Sequence, residues 1–302
     1  MKTLKYYFEK AQKEKWAIGQ FNFSDFTQMK AIIGAAKELK SPVILGTSEG
    51  ESKFFGLEEA VALRNVFKKK TRSAGSGQAG LPIFLNLDHG KSFGYLKQAI
   101  DAGYDMVHFD GSKLPLEENI KITKDVKNYA KWRGVLIEGE VGKIGTDSSK
   151  LYSEKFEIKE EDLTKPEEAL KFLNKTKANL LAISMGNFHG IEASGIDPNL
   201  RLDTLQKINE AFRQARGRTK NTFLVLHGGS GTPESDIKEA IKLGIVKINI
   251  NTELRLAFSG SLRRALSGSD EIVPYKYLPG AGKSVQKAVE EKILLFGSRD
   301  KI

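Results

Sequence analysis

Residues 222–252 read TFLVLHGGSGTPESDIKEAIKLGIVKININT, and this stretch contains a complete strand–helix–strand unit. A short apolar, β-rich run at 222–227 ends in His-Gly-Gly-Ser, and a second at 245–250 ends in Asn-Ile-Asn-Thr. Between them Thr232-Pro233 places a proline in a first helical turn, where its missing N–H costs nothing because that donor has no partner within the helix. Moving outward, apolar runs recur at 17–22, 42–47, 82–88, 105–110, 135–141 and 179–185. Longer amphipathic stretches lie between them, such as DFTQMKAIIGAAKEL, LEEAVALRNVFKKK, LEENIKITKDVKNYA and LDTLQKINEAFRQA. Thr164-Lys165-Pro166-Glu167 reads as a capping box with an early proline, opening a further helix. Eight strands, each followed by a helix, make a parallel α/β protein. The count of eight favours a closed TIM (β/α)8 barrel.

The chain of 302 residues suits a single barrel, since such domains run to about 250 residues or more. Residues after about 282, SVQKAVEEKILL, read as a C-terminal helical extension, so 1–302 is expected to be one domain. The Gly/Ser/Ala-rich segment 71–80 joins a helix to the third strand and reads as a surface loop. Residues 142–165 form the longest connection, and a loop of that length in a compact domain is expected to be a mobile active-site segment.

Composition removes several classes of function. With no cysteine, disulfide frameworks, cysteine-ligated zinc, iron–sulfur clusters and thiol nucleophiles are excluded. The first residues contain no apolar stretch of signal-peptide length, and no 18-residue apolar run occurs, so a cytoplasmic protein without membrane association is expected. The net charge of +10 is compatible with nucleic acid or with phosphorylated small molecules. No zinc finger, aromatic RNA-binding motif or arginine-rich segment accompanies it, and the lysines are spread over many helices; no nucleic-acid partner is expected.

In such barrels the functional groups stand at the C-terminal ends of the strands, and here those ends are polar. They read Asn86-Leu87-Asp88-His89-Gly90, His108-Phe109-Asp110-Gly111-Ser112, Met185-Gly186-Asn187-Phe188-His189-Gly190, His227-Gly228-Gly229-Ser230 and Asn249-Ile250-Asn251-Thr252. The fifth strand carries Glu138 and Glu140 on one face. Of the four histidines, His89, His189 and His227 fall at or just beyond strand ends. Three imidazoles on one rim, with carboxylates nearby, suit a zinc site with an open position. His108 is expected one layer deeper, as a hydrogen-bonded interior residue. The glycines and the Ser230 and Thr252 hydroxyls after the last two strands suit a phosphate, because backbone N–H groups can approach the anion there. Metal beside phosphate points to polarisation of a ketone and cleavage of an adjacent carbon–carbon bond. Asp88, next to His89, is the candidate to move the hydroxyl proton; orienting a histidine is its alternative role.

These blocks, LNLDHGKSF, VHFDGS, LIEGEVGKIG, NFHG, LVLHGGSG and KININTELR, resemble the class II, metal-dependent fructose-bisphosphate aldolase family in order and spacing over nearly the whole chain. The resemblance implies a lyase of glycolysis and gluconeogenesis that cleaves fructose 1,6-bisphosphate, with tagatose 1,6-bisphosphate or a related ketose phosphate as alternative. A non-catalytic aldolase-like subunit is a further alternative. It implies that His89, His189 and His227 bind catalytic Zn2+, that Asp88 acts on the C4 hydroxyl, and that Asp110 and Glu140 associate with the metal or an alternative metal position. It assigns Asn249 to the enediolate, Gly190, Gly228, Ser230, Asn251 and Thr252 to the dihydroxyacetone phosphate half, and Ser48 and Arg255 to the second phosphate. It further implies a homodimer or homotetramer and a monovalent cation (Na+ or K+) at the phosphate. Two positions depart from the family pattern. Ser148 stands where a loop glutamate is usual, with Asp147 or Glu154 as substitutes, and Ala193 stands where a phosphate-binding lysine is usual.

Overall fold

Every strand in a parallel barrel is covered on both faces, by the barrel interior on one side and by helices on the other. The strands are β1 (Ile18–Asn22), β2 (Val43–Ser48), β3 (Ile83–Gly90), β4 (Met106–Phe109), β5 (Leu136–Val141), β6 (Leu151–Tyr152), β7 (Leu180–Ile183), β8 (Ile191–Glu192), β9 (Phe223–Leu226) and β10 (Ile245–Ile250). In this computed structural model, which describes residues 2–71, 80–145, 150–153, 155–192, 197–215, 222–267 and 269–302, eight of them close in the order β1-β2-β3-β4-β5-β7-β9-β10. The two-residue strands β6 and β8 pair with each other outside the barrel. The fold is the expected TIM barrel with a C-terminal helix.

Period-two alternation sorts the interior into layers. At the N-terminal end the inward residues are apolar: Ile18, Ile44, Phe84, Met106, Leu180 and Phe223 join one buried cluster. Two and four residues further along the same strands, the same face carries Gln20 and Asn22, Asn86 and Asp88, His108 and Asp110, or Glu138 and Glu140. The outward set, including Leu45, Leu85, Leu87, Val107, Ile137 and Leu181, packs against the helices in a second cluster. Polar groups are thereby confined to one end of the barrel. Strands β2 and β3 align from Val43↔Ile83 to Ser48↔Asp88, which sets Ser48 beside Asp88 at that end.

The opposite end is closed by α1 (Leu4–Glu14), which the sequence reading did not anticipate among its many lysines and glutamates. Leu4, Tyr7, Phe8 and Ala11 recur at helical spacing and bury one stripe against the apolar layer, with the Phe8 ring 5.3 Å from Phe223. The remaining helices are α2 (Phe26–Glu38), α3 (Glu49–Phe55), α4 (Leu57–Lys70), α5 (Phe93–Ala102), α6 (Leu116–Ala130), α7 (Pro166–Thr176), α8 (Leu202–Gln214), α9 (Glu234–Lys242), α10 (Thr252–Ser267) and α11 (Pro274–Leu295). No helix among the described residues is long and apolar enough to cross a membrane.

Three local expectations are corrected. The final helix begins at Pro274 and contains Pro279, well before residue 282; packing against α2 and α10 carries it through the breakers Pro279, Gly280 and Gly282. Thr164 forms no capping box. Lys165 is the residue preceding the helix, and Thr164 Oγ1 donates to the Val141 carbonyl while accepting the Ser184 N–H at 2.8 Å, tying the ends of β5 and β7. Pro233 precedes the first turn of α9, and Thr232 donates back to the Gly228 carbonyl at 2.9 Å. The 142–165 connection contains β6 and a 3-10 turn at Glu160–Asp162, while Asp147, Ser148, Glu154 and Ala193 lie outside the described residues.

Because α1 plugs the lower end, Phe8→Ala is expected to lower unfolding stability by about 3–5 kcal/mol, read as a shifted urea midpoint. A midpoint equal to that of the parent would show that the plug contributes little.

Candidate active site

The polar end is organised by a buried ion chain. Lys247 on β10 and Glu138 on β5 are both fully buried, with Nζ 2.9 Å from Oε2. The same ammonium donates to Asn249 Oδ1 at 2.8 Å, and Glu138 Oε1 lies 2.6 Å from His227 Nε2. A carboxylate only accepts, so His227 carries its proton on Nε2 and turns an unprotonated Nδ1 toward the barrel mouth. Asp110 likewise takes His89, whose Nδ1 is 3.0 Å from Asp110 Oδ2, and this turns Nε2 toward His227.

His89 Nε2 and His227 Nδ1 face each other at 3.0 Å. At that distance either one of the two nitrogens donates a proton to the other, or a metal ion lies between them. Ligands about 2.05 Å from a tetrahedral ion stand roughly 3.3 Å apart, close to the spacing found. The His189 ring completes the triangle, its centroid 4.6 Å from His89 and 5.8 Å from His227. Burial, with the neighbouring imidazoles, holds His189 well below the usual histidine range, and burial likewise lowers His227. Burial opposes charge on His89 too, but the Asp88 and Asp110 carboxylates outweigh it and raise His89, so a metal bound there displaces a proton. The donor set therefore fits a divalent ion. Ligand atoms of Asp88, His89, His108 and His227 lie within 4.8 Å of one another, as do those of His89, Asp110 and Glu140, while His189 joins neither group at that spacing.

Local backbone geometry brings these side chains together. His89 has φ 50°, an uncommon left-handed conformation for a side chain of this size, and its N–H donates to His108 Nδ1 at 3.2 Å. His108 is fully buried as expected, with Nε2 3.4 Å from Glu140 Oε2. Gly228 has φ 64°, and a Cβ there would sit 1.9 Å from the Phe188 carbonyl oxygen. Only glycine lets the His227 loop lie against the His189 loop this closely.

Asp88 is held by two amides: Asn249 Nδ2 donates to Oδ1 at 3.0 Å and Asn22 Nδ2 to Oδ2 at 2.9 Å. Burial alone would raise its pKa, but His89, His108, His227 and Lys247 hold the carboxyl well below the usual range, so it is ionised. Asn249 owes its orientation to Lys247, which takes its carbonyl oxygen and leaves the amide hydrogens for Asp88.

Asp88, His89, His189, His227, Asn249, Gly190, Gly228, Ser230, Asn251 and Thr252 line one cavity. Thr252 opens the 16-residue α10, so a helix N-terminus adds its partial positive charge to the glycine and hydroxyl lining. Ser48 and Arg255 are placed differently. They meet at Glu51, whose Oε1 is 2.7 Å from Arg255 Nη2 and whose Oε2 accepts the Ser48 N–H at 2.8 Å. Asn22, Glu51, Glu138 and Lys247 were not among the expected site residues. The period-two rule carries Glu138 inward with Glu140 and Lys247 inward with Asn249, and that signal was available in the sequence.

If Glu138 sets the His227 tautomer, Glu138→Gln should weaken zinc binding about 10–100-fold in competition with a chromophoric chelator. An affinity equal to that of the parent would contradict the assignment.

Comparison with known proteins agrees with this geometry. The family model for class-II fructose-bisphosphate aldolase matches residues 2–301. The chain is 35% identical over 294 residues to the sulfofructosephosphate aldolase of Alkalicoccus urumqiensis, covering 97% of this chain and 95% of that one. It is also 35% identical over 300 residues to the fructose-bisphosphate aldolase of Geobacillus stearothermophilus, covering 99% and 98%. Among solved structures, the YdjI aldolase of Escherichia coli K12 superposes with a TM-score of 0.78 at 27% identity, covering 100% of this chain and 99% of that one. With an eight-stranded barrel, converging imidazoles and a match along its whole length, the chain belongs to the class II fructose-bisphosphate aldolase family of metal-dependent lyases.

Proposed function

We propose that the protein catalyses reversible, zinc-dependent aldol cleavage of a ketose 1-phosphate into dihydroxyacetone phosphate and an aldehyde. The family resemblance implies fructose 1,6-bisphosphate, which gives glyceraldehyde 3-phosphate, with tagatose 1,6-bisphosphate or a related ketose phosphate as alternatives. One observation carries the reading: three imidazoles, an ionised aspartate and a glycine–hydroxyl pocket line the same cavity.

His89, His189 and His227 would hold the ion, which supplies Lewis-acid polarisation of the C2 carbonyl. Asp88 takes the proton from the C4 hydroxyl as the C3–C4 bond breaks, and C4 leaves as the aldehyde carbonyl. Asn22 and Asn249 keep the Asp88 carboxylate fixed from both oxygens, so little reorganisation accompanies the transfer. The Asn249 amide lies within 3.4 Å of the His227 ring and is placed to donate to the oxygen that gains negative charge. Gly190, Gly228, Ser230, Asn251 and Thr252 anchor the C1 phosphate at the start of α10. Binding energy from that remote group orients C3 and C4 over Asp88.

Zinc-loaded protein is expected to release dihydroxyacetone phosphate from ketose 1-phosphates, in a coupled reductase assay, and to lose that activity on chelation. Turnover indifferent to chelators would contradict the metal mechanism. Asp88→Asn is expected to lower kcat by about 10²–10⁴ while the protein still binds zinc.

A further inference from the structure

The aldol chemistry leaves one buried carboxylate at the mouth of the site without a role. Glu51 on α3 is held by four groups. Its Oε1 accepts from Arg255 Nη2 at 2.7 Å and from Asn251 Nδ2 at 3.4 Å; its Oε2 accepts from the Ser48 N–H at 2.8 Å and from Asn22 Nδ2 at 3.1 Å. Ser48 Oγ accepts the Glu51 N–H at 3.3 Å in return, a reciprocal capping box that pins the side chain from its own helix. Glu51 is buried, 7% exposed.

Ser48 and Arg255 are the residues that the resemblance assigns to a second phosphate, and both already face this fixed anion. A phosphate at that position would compete with Glu51 for the same donors. It would also meet a carboxylate at hydrogen-bonding distance in a partly desolvated site, where like charges are penalised most. The far end of the site is therefore close to electrically neutral, with the carboxylate and guanidinium cancelling and the amides of Asn22 and Asn251 nearby. Paired donors and acceptors of this kind suit hydroxyl groups. The pocket at the start of α10 contrasts with it, because glycine backbone and the Ser230 and Thr252 hydroxyls form that lining.

We infer that Glu51 is a specificity-determining residue that selects ketose 1-phosphates whose far end carries hydroxyl groups and no phosphate, so that the aldehyde product is uncharged. The inference rests on the aldolase reading for its substrate class, while its physical content is the discrimination between one and two phosphates. Glu51 acts by occupying the Arg255 guanidinium and the Ser48 N–H, not by touching the reacting atoms.

Two uncleavable ligands separate the questions: a hexitol 1-phosphate and the corresponding hexitol 1,6-bisphosphate, titrated calorimetrically into the zinc-loaded protein. The bisphosphate is expected to bind the parent no more tightly than the monophosphate. Glu51→Gln, which keeps the size and removes the charge, should move the ratio of the two Kd values toward the bisphosphate by about tenfold, because Arg255 is released to a charged partner. Glu51→Ala should move it in the same direction. Adding Arg255→Leu to Glu51→Gln should cancel the gain, a result that a merely structural role for Glu51 does not produce. A bisphosphate that binds the parent about tenfold more tightly than the monophosphate, or a ratio unmoved in both Glu51 variants, would overturn the inference. Cleavage assays with fructose 1-phosphate and fructose 1,6-bisphosphate complete the test. If neither is cleaved while the binding ratios behave as stated, the aldol reaction fails and the role of Glu51 stands.

Discussion

The contact between Lys247 and Glu138 at the centre of the barrel is the constraint on which the rest of the site depends. Two opposite charges with no solvent exposure sit 2.9 Å apart. Neither tolerates loss of the other, since an unpaired buried charge costs about 3–5 kcal/mol. Each also holds a second group. Glu138 takes the proton-bearing nitrogen of His227, and Lys247 takes the carbonyl oxygen of Asn249. Through these bonds one ion pair sets the tautomer of a metal-facing imidazole and the orientation of the amide that steadies Asp88. Hydrophobic isosteres of the same volume would pack as well and would fix neither. The polar pair is thus a device for orientation more than for stability.

The barrel supports this arrangement by separating its apolar and polar functions along the strand axis. Inward residues at the lower end are closed over by α1, and inward residues at the upper end meet one another across the barrel. Because period-two alternation repeats in every strand, a single rule places Asp88 above Phe84, His108 above Met106 and Glu138 above Leu136. Loops then bring in the groups that strands do not reach. His189 arrives on the 184–190 loop, held against Gly228, and Thr252 arrives at the first turn of α10.

Much of this was legible in the sequence. The eight apolar runs, the polar strand ends and the histidines at three of them are local features, and the structure brings His89, His189 and His227 to one point as expected. What could not be read locally depends on partners far apart in the chain. Thr164 looks like a helix cap, but Val141 and Ser184 offer it better-placed partners. The stripe of α1 is dilute, four buried residues among lysines and glutamates, and is recognised by the open barrel end it fills. Glu51 reads as an ordinary surface glutamate of a short helix until β1, the end of β10 and α10 set Asn22, Asn251 and Arg255 around it. The net charge of +10 carries no such information, since most of the described lysines are exposed to solvent.

The central claim is that preset imidazole tautomers hold one divalent ion above Asp88. Crystals of zinc-loaded protein, measured at the zinc absorption edge, test it most directly. The account predicts a single anomalous peak about 2.0–2.1 Å from His89 Nε2, His227 Nδ1 and a ring nitrogen of His189, with His227 Nε2 still bonded to Glu138. A peak bound through His89 Nδ1 or His227 Nε2, or no peak among these three histidines, would contradict it.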